Sequence, residues 1–349
     1  MGLKDCLFMA NPVYSAHRVS NQGSCNFEII MEKYLPDFSD VVQAHEIVKT
    51  FAHRTPVFTS QSIDKITKSN LFFKCENFQK VGAFKFRGAS NAVFSLPADE
   101  AARGVATHSS GNHAAALALA ARLRGISAYI VMPRTSPEIK QKAVAGYGGI
   151  ITLCEPTLQA REETLAQVVS ATGAVEVHPY NNFHVIAGQG TAAKELIEDE
   201  GKFDMIIAPV GGGGLLSGTA ISVKHFLPHC KIIAAEPAGA DDAYRSFHTQ
   251  KLIPSKNPQT IADGLLTSLG DRNFKIILGK VDDIVTVSEQ GIVDAMRMVW
   301  ERMKIIVEPS SAVPLAAIIE KKINTVGKKI GIIISGGNVD LNNFKIFNP

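Results

Sequence analysis

Met205-Ile206-Ile207-Ala208-Pro209-Val210-Gly211-Gly212-Gly213-Gly214-Leu215-Leu216-Ser217-Gly218 decides the architecture. An apolar run of strand length meets four consecutive glycines, and helical spacing follows over 215–226. A short, wholly apolar strand feeding a helix belongs to a parallel sheet covered on both faces. Successive glycines let backbone N–H groups approach an anion closely, and the helix N-terminus behind them adds partial positive charge. No Lys-Ser/Thr pair follows, so this is not a nucleotide P-loop. Leu216 or Ser217 stands where the third glycine of a dinucleotide fingerprint would be. A tight turn rarely needs four glycines, so phosphate binding is the expectation here.

Outward from this unit the same alternation continues. On the N-terminal side the spacing predicts a strand at 71–75, helix 110–124, strand 128–132, helix 137–147, strand 150–153 and helix 157–172. On the other side it predicts helix 191–199 before strand 205–209, then strand 232–235 and a last strand at 330–334. Ser39-Asp40 reads as the N-cap of a helix reaching Phe51. The expected fold is α/β, with two open, mostly parallel sheets and helices on both faces. Ligands in such folds bind beyond the carboxyl ends of the strands, so two lobes imply a cleft between them.

The 349 residues are 46% hydrophobic and 20% charged, which suits a globular protein of two lobes. Thirty-six basic against 33 acidic residues leave +3, too balanced for a nucleic-acid footprint. Small molecules are therefore the expected partners, with no nucleic acid and no membrane. The five cysteines form no C-x-x-C pair, and no apolar leader or span is present, so a cytoplasmic location is expected. Met1-Gly2 opens a myristoylation-like pattern, but Cys6 stands where Ser or Thr is required.

Four further segments carry chemistry. Lys85 lies in Gly82-Ala83-Phe84-Lys85-Phe86-Arg87-Gly88-Ala89, where apolar neighbours favour a neutral, nucleophilic amine, although a lone lysine is more often a solvated charge. His108-Ser109-Ser110-Gly111-Asn112-His113 opens a helix with hydroxyls, an amide and free N–H groups, suited to a carboxylate; Ser109 or Ser110 acting merely as a cap is the alternative. Glu236-Pro237-Ala238-Gly239-Ala240-Asp241-Asp242 collects oxygen ligands for a hard cation, or is simply a solvated acidic loop. Ser335-Gly336-Gly337-Asn338 puts a hydroxyl at another strand end. His225 and His229 are separated by Pro228, which breaks their helical register, and both are read as structural.

Together these segments resemble the fold-type II pyridoxal-phosphate enzymes, which are tryptophan synthase β-like, and within them the serine racemase and serine/threonine dehydratase branch. The match runs over about 39–341 and includes Gly188-Gln189-Gly190-Thr191, Ala234-Ala235-Glu236-Pro237 and Ile261-Ala262-Asp263-Gly264. The resemblance implies an irregular arm over 1–36, a large cofactor-binding domain from 37–97 and 182–349, and a small domain over 98–181. It implies that Lys85 carries pyridoxal 5'-phosphate, with Phe84 beside the ring and Asn112 at its phenolic oxygen. Gly211, Gly212, Gly213 and Gly214 would hold the phosphate, Gly264 would line the site, and Ser335 would face the pyridine nitrogen. Ser109, Ser110, Gly111, Asn112 and His113 would bind an amino-acid substrate, with Arg161 meeting a second carboxylate.

Racemisation needs acid/base groups on both faces of the α-carbon, and the resemblance assigns these to Lys85 and Ser110. Loss of the β-hydroxyl from the same carbanion would give pyruvate and ammonia. A dehydratase acting on serine, threonine or 3-hydroxyaspartate with little racemisation is the alternative. Glu236, the Ala240 carbonyl and Asp242 correspond to a Mg²⁺ or Ca²⁺ site, and a homodimer is implied. ATP activation is implied through Lys80, Tyr147 and Asn338, while Val81, Ala83 and Ala114-Ala115 depart from that pattern. The segment Tyr180-Asn181-Asn182-Phe183 lacks the serine-rich pattern of related aspartate racemases.

Overall fold

The computed structural model describes residues 35–340, so nearly all of the expected arm, with Cys6 and Cys25, lies outside the described residues. The strands, in chain order, are β1 (Val57–Phe58), β2 (Asn70–Cys75), β3 (Val105–His108), β4 (Ala128–Pro133) and β5 (Gly149–Cys154). After them come β6 (Val175–Glu176), β7 (Met205–Pro209), β8 (Lys231–Pro237), β9 (Asp283–Val287) and β10 (Lys329–Ile334). They form two sheets, ordered β1-β2-β10-β7-β8-β9 and β5-β4-β3-β6. All pairings are parallel except β1 with β2. The central strands explain why: β7 is buried throughout and β10 from its second residue onward, so each needs cover on both faces.

The predicted elements fall within a residue or two of those observed, with two differences. The first helix is Phe38–Phe51, and its cap is Asp37 rather than Ser39-Asp40. The Asp37 carboxylate accepts from Ser39 N at 2.8 Å while Asp40 reaches back to Asp37 N at 2.7 Å, a reciprocal capping pair. The helix predicted over 191–199 is Phe183–Glu200, capped by the Asn182 side chain on Val185 N. Gly188 and Gly190 lower its helical propensity and so hid its first half. Their purpose is close packing: a Cβ on Gly188 would lie 2.7 Å from Gly88 Cα, and one on Gly218 would lie 2.4 Å from Gly190 N.

That packing locks the helix Lys85–Phe94 onto Phe183–Glu200, and an ionic cluster completes the joint. Arg87, fully buried, sends Nε and Nη2 to the Glu76 carboxylate at 2.7 and 2.8 Å and Nη1 to Glu195 at 2.8 Å. Lys74 Nζ donates to Glu195 at 2.7 Å and to Thr55 O at 2.8 Å. Burial alone would raise the Glu195 pKa, but the two cations outweigh it and hold it down at about 2. Two cations and two carboxylates neutralise one another here, and breaking such a set by removing one member costs about 3–5 kcal/mol. Cys75, Cys154 and Cys230 are free and buried. Among the described residues no helix is long and apolar enough to cross a membrane.

Candidate active site

Three neighbouring strands deliver the large sheet's contribution at their carboxyl ends: Ser335 after β10, the four glycines after β7, and Glu236 in β8. Gly211 to Gly214 are buried, yet none of their amides donates a hydrogen bond to a described residue. Buried backbone N–H groups are almost always paired, so these donors await a ligand. Gly213 is the left-handed residue that opens the helix Gly214–Phe226, with φ 91°. The loop leaves no room for side chains: a Cβ on Gly212 would lie 2.3 Å from Tyr180 Cγ. A cradle of free N–H groups at a helix start fits a phosphate.

Lys85 begins the helix Lys85–Phe94 beside this cradle. Phe84 N donates to Ser335 O at 2.9 Å, which ties the Lys85 turn to the end of β10. The half-buried Lys85 amine donates to Pro179 O at 2.9 Å and lies 5.2 Å from the Phe84 ring centre and 6.0 Å from that of Tyr180. Burial pulls its pKa down to about 8 against the opposing pull of Glu308. A fraction of the amine is thus neutral and nucleophilic near neutral pH, as attack on a carbonyl requires. Ser335 Oγ is 2.9 Å from Ser311 Oγ, a neutral pair in which either can donate. Gly264 lies close by, its N–H bonded to Ser310 Oγ at 3.1 Å.

Across the cleft, β3 ends at His108 and the helix Asn112–Arg124 starts after Gly111. Neither serine caps that helix: its N-cap is Gly111 without a side-chain bond, and Ser109 Oγ accepts only from Gly111 N, at 3.4 Å. The half-buried Ser110 hydroxyl has no partner among the described residues. Asn112 is already engaged, giving Nδ2 to the Glu308 carboxylate at 3.1 Å and taking a bond from Asn338 Nδ2 at 2.9 Å. Burial lifts Glu308 to about 7, although Asn112 opposes the shift. His113 is buried behind the segment, its Nε2 3.1 Å from Val177 O, and burial drives its pKa to about 3.

Glu308 and its neighbours Ser310 and Ser311 are site residues that the sequence reading missed. They cap and open the helix Pro309–Ile319, whose apolar run looks like plain core. Only the pairing of Ser310-Ser311 with an acidic residue ahead of a proline hinted at a polar helix start facing the cleft.

The Glu236-to-Asp242 segment is not simply a solvated acidic loop, since Glu236 and Asp242 are fully buried while only Asp241 of its three carboxylates is partly exposed. Glu236 accepts from Ala243 N at 3.2 Å and Tyr244 N at 2.8 Å, so it turns onto the start of the helix Asp242–Thr249. Asp242 Oδ2 accepts from Leu269 N at 2.8 Å, while its Oδ1 is buried without a partner. Burial, with repulsion from Asp242 and Asp241, raises Glu236 to about 9, and burial, with repulsion from Asp241, raises Asp242 to about 6. Two such groups with an orphaned oxygen fit a hard cation, which would relieve both penalties. Among the described residues no three His, Cys, Asp or Glu side chains cluster for a metal.

Arg161 lies near His108, and its Nε is buried without a partner. A cavity of about 580 Å³ opens on the far side of Asn112, lined by Val81, Ala115, Tyr147, Asn338 and the Lys140–Asp263 pair.

This is the arrangement of an α/β enzyme that holds a phosphate at one strand end and presents a lysine amine beside it. The family model for pyridoxal-phosphate dependent enzymes matches residues 48–336, and the chain belongs to that family, with the fold of its type II members. It is 52% identical over 308 residues to the beta-hydroxyaspartate dehydratase of Paracoccus denitrificans, covering 88% of this chain and 98% of the relative. It is 50% identical over 315 residues to the serine racemase of Dictyostelium discoideum, covering 88% and 97%. The solved structure of maize serine racemase superposes with a TM-score of 0.87 at 48% identity, covering 89% and 96%.

Proposed function

We propose that the chain is a serine racemase that interconverts L- and D-serine and also eliminates water from serine, releasing pyruvate and ammonia. The observation that carries the reading is the Lys85 amine, its pKa lowered by burial, 5.2 Å from the Phe84 ring centre and 6.0 Å from that of Tyr180. Pyridoxal phosphate, when bound, supplies the electron sink that lets an amino acid lose its α-proton. The amides of Gly211 to Gly214 would hold its phosphate and Lys85 Nζ its carbonyl carbon, with Phe84 beside the ring and Gly264 in the binding site. Ser335, a neutral hydroxyl paired with Ser311, would meet the pyridine nitrogen, and Asn112 the phenolic oxygen once its Nδ2 turns from Glu308.

Ser109, Ser110, Gly111, Asn112 and His113 form the segment that binds the substrate carboxylate. Lys85 Nζ exchanges the α-proton on one face and Ser110 Oγ on the other, which inverts the centre. When the β-hydroxyl leaves before the proton returns, the same two groups yield the elimination. Glu236, the Ala240 carbonyl and Asp242 would hold Mg²⁺ or Ca²⁺ in a structural and activating role.

The large domain comprises 37–97 and 182–349 and the small domain 98–181. The protein acts as a cytoplasmic homodimer. Lys80, Tyr147 and Asn338 favour ATP as an activator, while Val81 and Ala115 give the cavity beside Tyr147 and Asn338 an apolar lining.

Substitution separates the roles. Lys85→Ala should abolish the cofactor absorbance and both activities. Ser110→Ala should keep the absorbance and lose racemisation. Racemisation at the parent rate in Ser110→Ala would sink the assignment of the second base. The second reading, a 3-hydroxyaspartate dehydratase, draws support from the unpartnered Arg161 Nε, suited to a second carboxylate. In that case Arg161→Ala should lower kcat/KM for 3-hydroxyaspartate and leave serine unaffected.

A further inference from the structure

The chain passes from the small sheet to the large one through His178-Pro179-Tyr180-Asn181-Asn182, between β6 and the helix Phe183–Glu200. One side chain shapes this crossing. His178 Nδ1 accepts from Tyr180 N at 3.3 Å and from Asn181 N at 3.0 Å, two and three residues ahead. Aspartate and asparagine oxygens make the same local pattern, which holds a turn in place of a backbone bond. Only a neutral ring can accept at Nδ1. Burial, with His108 and Lys85 nearby, keeps the ring neutral by pushing its pKa down to about 4.

The turn has three consequences. It aims the Pro179 carbonyl at the Lys85 amine, 2.9 Å away. It lays the Tyr180 ring on Gly212 of the phosphate cradle, where Asn273 Nδ2 bridges Tyr180 O at 3.1 Å and Gly212 O at 2.8 Å. It also brings Asn181 to Asp271 at 2.7 Å and to Arg272 N at 3.1 Å. Through this turn one side-chain acceptor is linked to Lys85, to the cradle and to the helix Asp271–Lys280.

We propose that His178 is a positioning residue: its Nδ1 fixes the turn that aims Pro179 O at the Lys85 amine and seats Tyr180 on the cradle. The inference rests on reading Lys85 as the cofactor lysine. The other titratable groups that face the amine are Glu308, His113 and Tyr180; Tyr180 is itself part of the turn, and neither Glu308 nor His113 bonds to it.

The test compares His178→Asn, His178→Gln and His178→Leu as holoenzymes. The oxygen of asparagine takes the place of Nδ1, whereas that of glutamine reaches toward Nε2. Two quantities are read: kcat and KM for conversion of L-serine to D-serine, and the rate at which cofactor-free protein regains the cofactor absorbance on adding pyridoxal phosphate. His178→Asn should keep both rates within about threefold, while His178→Gln and His178→Leu lose about tenfold or more in each, with KM little changed. Parent rates in Gln and Leu overturn the inference. So does an Asn variant that fails to fold or falls as far as Leu. Should Leu not fold, the contrast between Asn and Gln decides. A cofactor absorbance that persists in Lys85→Ala would instead overturn the functional reading itself, whatever the His178 variants do.

Discussion

Gly212→Ala isolates the cradle from every other part of the site. The added methyl would lie 2.3 Å from Tyr180 Cγ and 2.4 Å from Cδ1, against ordinary contact from 3.4 Å, so the ring or the loop must move by about 1 Å. Neither moves freely, because Asn273 bonds Tyr180 O and Gly212 O together. Overpacking of this kind costs about 1–3 kcal/mol. If the loop yields, its amides swing off the phosphate and the loss appears in cofactor affinity, as about fivefold to 150-fold. If the ring yields, Tyr180 leaves the cleft and the loss appears in thermal stability. Equilibrium titration of the cofactor-free protein with pyridoxal phosphate, paired with a melting curve, reads both. Gly279→Ala is the control, since nothing lies within 4 Å of its Cβ and it should gain about 0.5–1 kcal/mol of helix stability with affinity unchanged. Parent affinity and parent melting temperature in Gly212→Ala would refute the packed cradle.

Other expectations concern charge. Arg87→Leu leaves Glu76 and Glu195 buried without their fork and should destabilise by about 3–5 kcal/mol in urea unfolding; a loss under 1 kcal/mol would contradict the buried network. Glu308, lifted to about 7, holds a proton in the folded state that the unfolded chain has released, so its stabilising contribution is present below about pH 4.5 and lost as pH rises through 7. In the cofactor-free protein Glu308→Gln should therefore flatten the fall in stability from pH 5 to 8 by on the order of 3 kcal/mol, and an unchanged slope would count against a buried carboxyl. Glu236 and Asp242 are likewise raised, so Mg²⁺ should raise the melting temperature more at pH 8 than at pH 5.5, and Asp242→Asn should abolish the difference. Equal shifts at both pH values would argue against carboxylate ligation.

The parts of the molecule legible in the sequence are those whose chemistry resides in residue type and local order. The run from Met205 through the glycines to the helix after them declares a strand, a turn and an anion cradle, because four glycines have few other uses. Lys85, Ser110 and Glu236 are chemistry-bearing residues in distinctive settings; the structure places Lys85 at a helix start with its amine on Pro179 O, Ser110 just ahead of the helix Asn112–Arg124, and Glu236 buried in β8. What escaped depends on contacts between distant segments. Glu308 looks like an ordinary helix cap until folding sets it against Asn112 and Lys85. His178 acts through two backbone amides, a role no motif spells. The first half of the helix Phe183–Glu200 was hidden by glycines whose reason is the neighbouring helix, and local propensity cannot see that neighbour.

The central claim is that one site inverts serine and also dehydrates it. Purified holoenzyme with L-serine and Mg²⁺, sampled over time with the serine enantiomers resolved and pyruvate quantified in the same aliquots, tests it directly. D-serine should accumulate toward equality with L-serine while pyruvate grows alongside, and both should vanish together in Lys85→Ala. Pyruvate without D-serine would contradict the racemase and make the protein a dehydratase, in which Ser110 serves the substrate carboxylate rather than the α-proton.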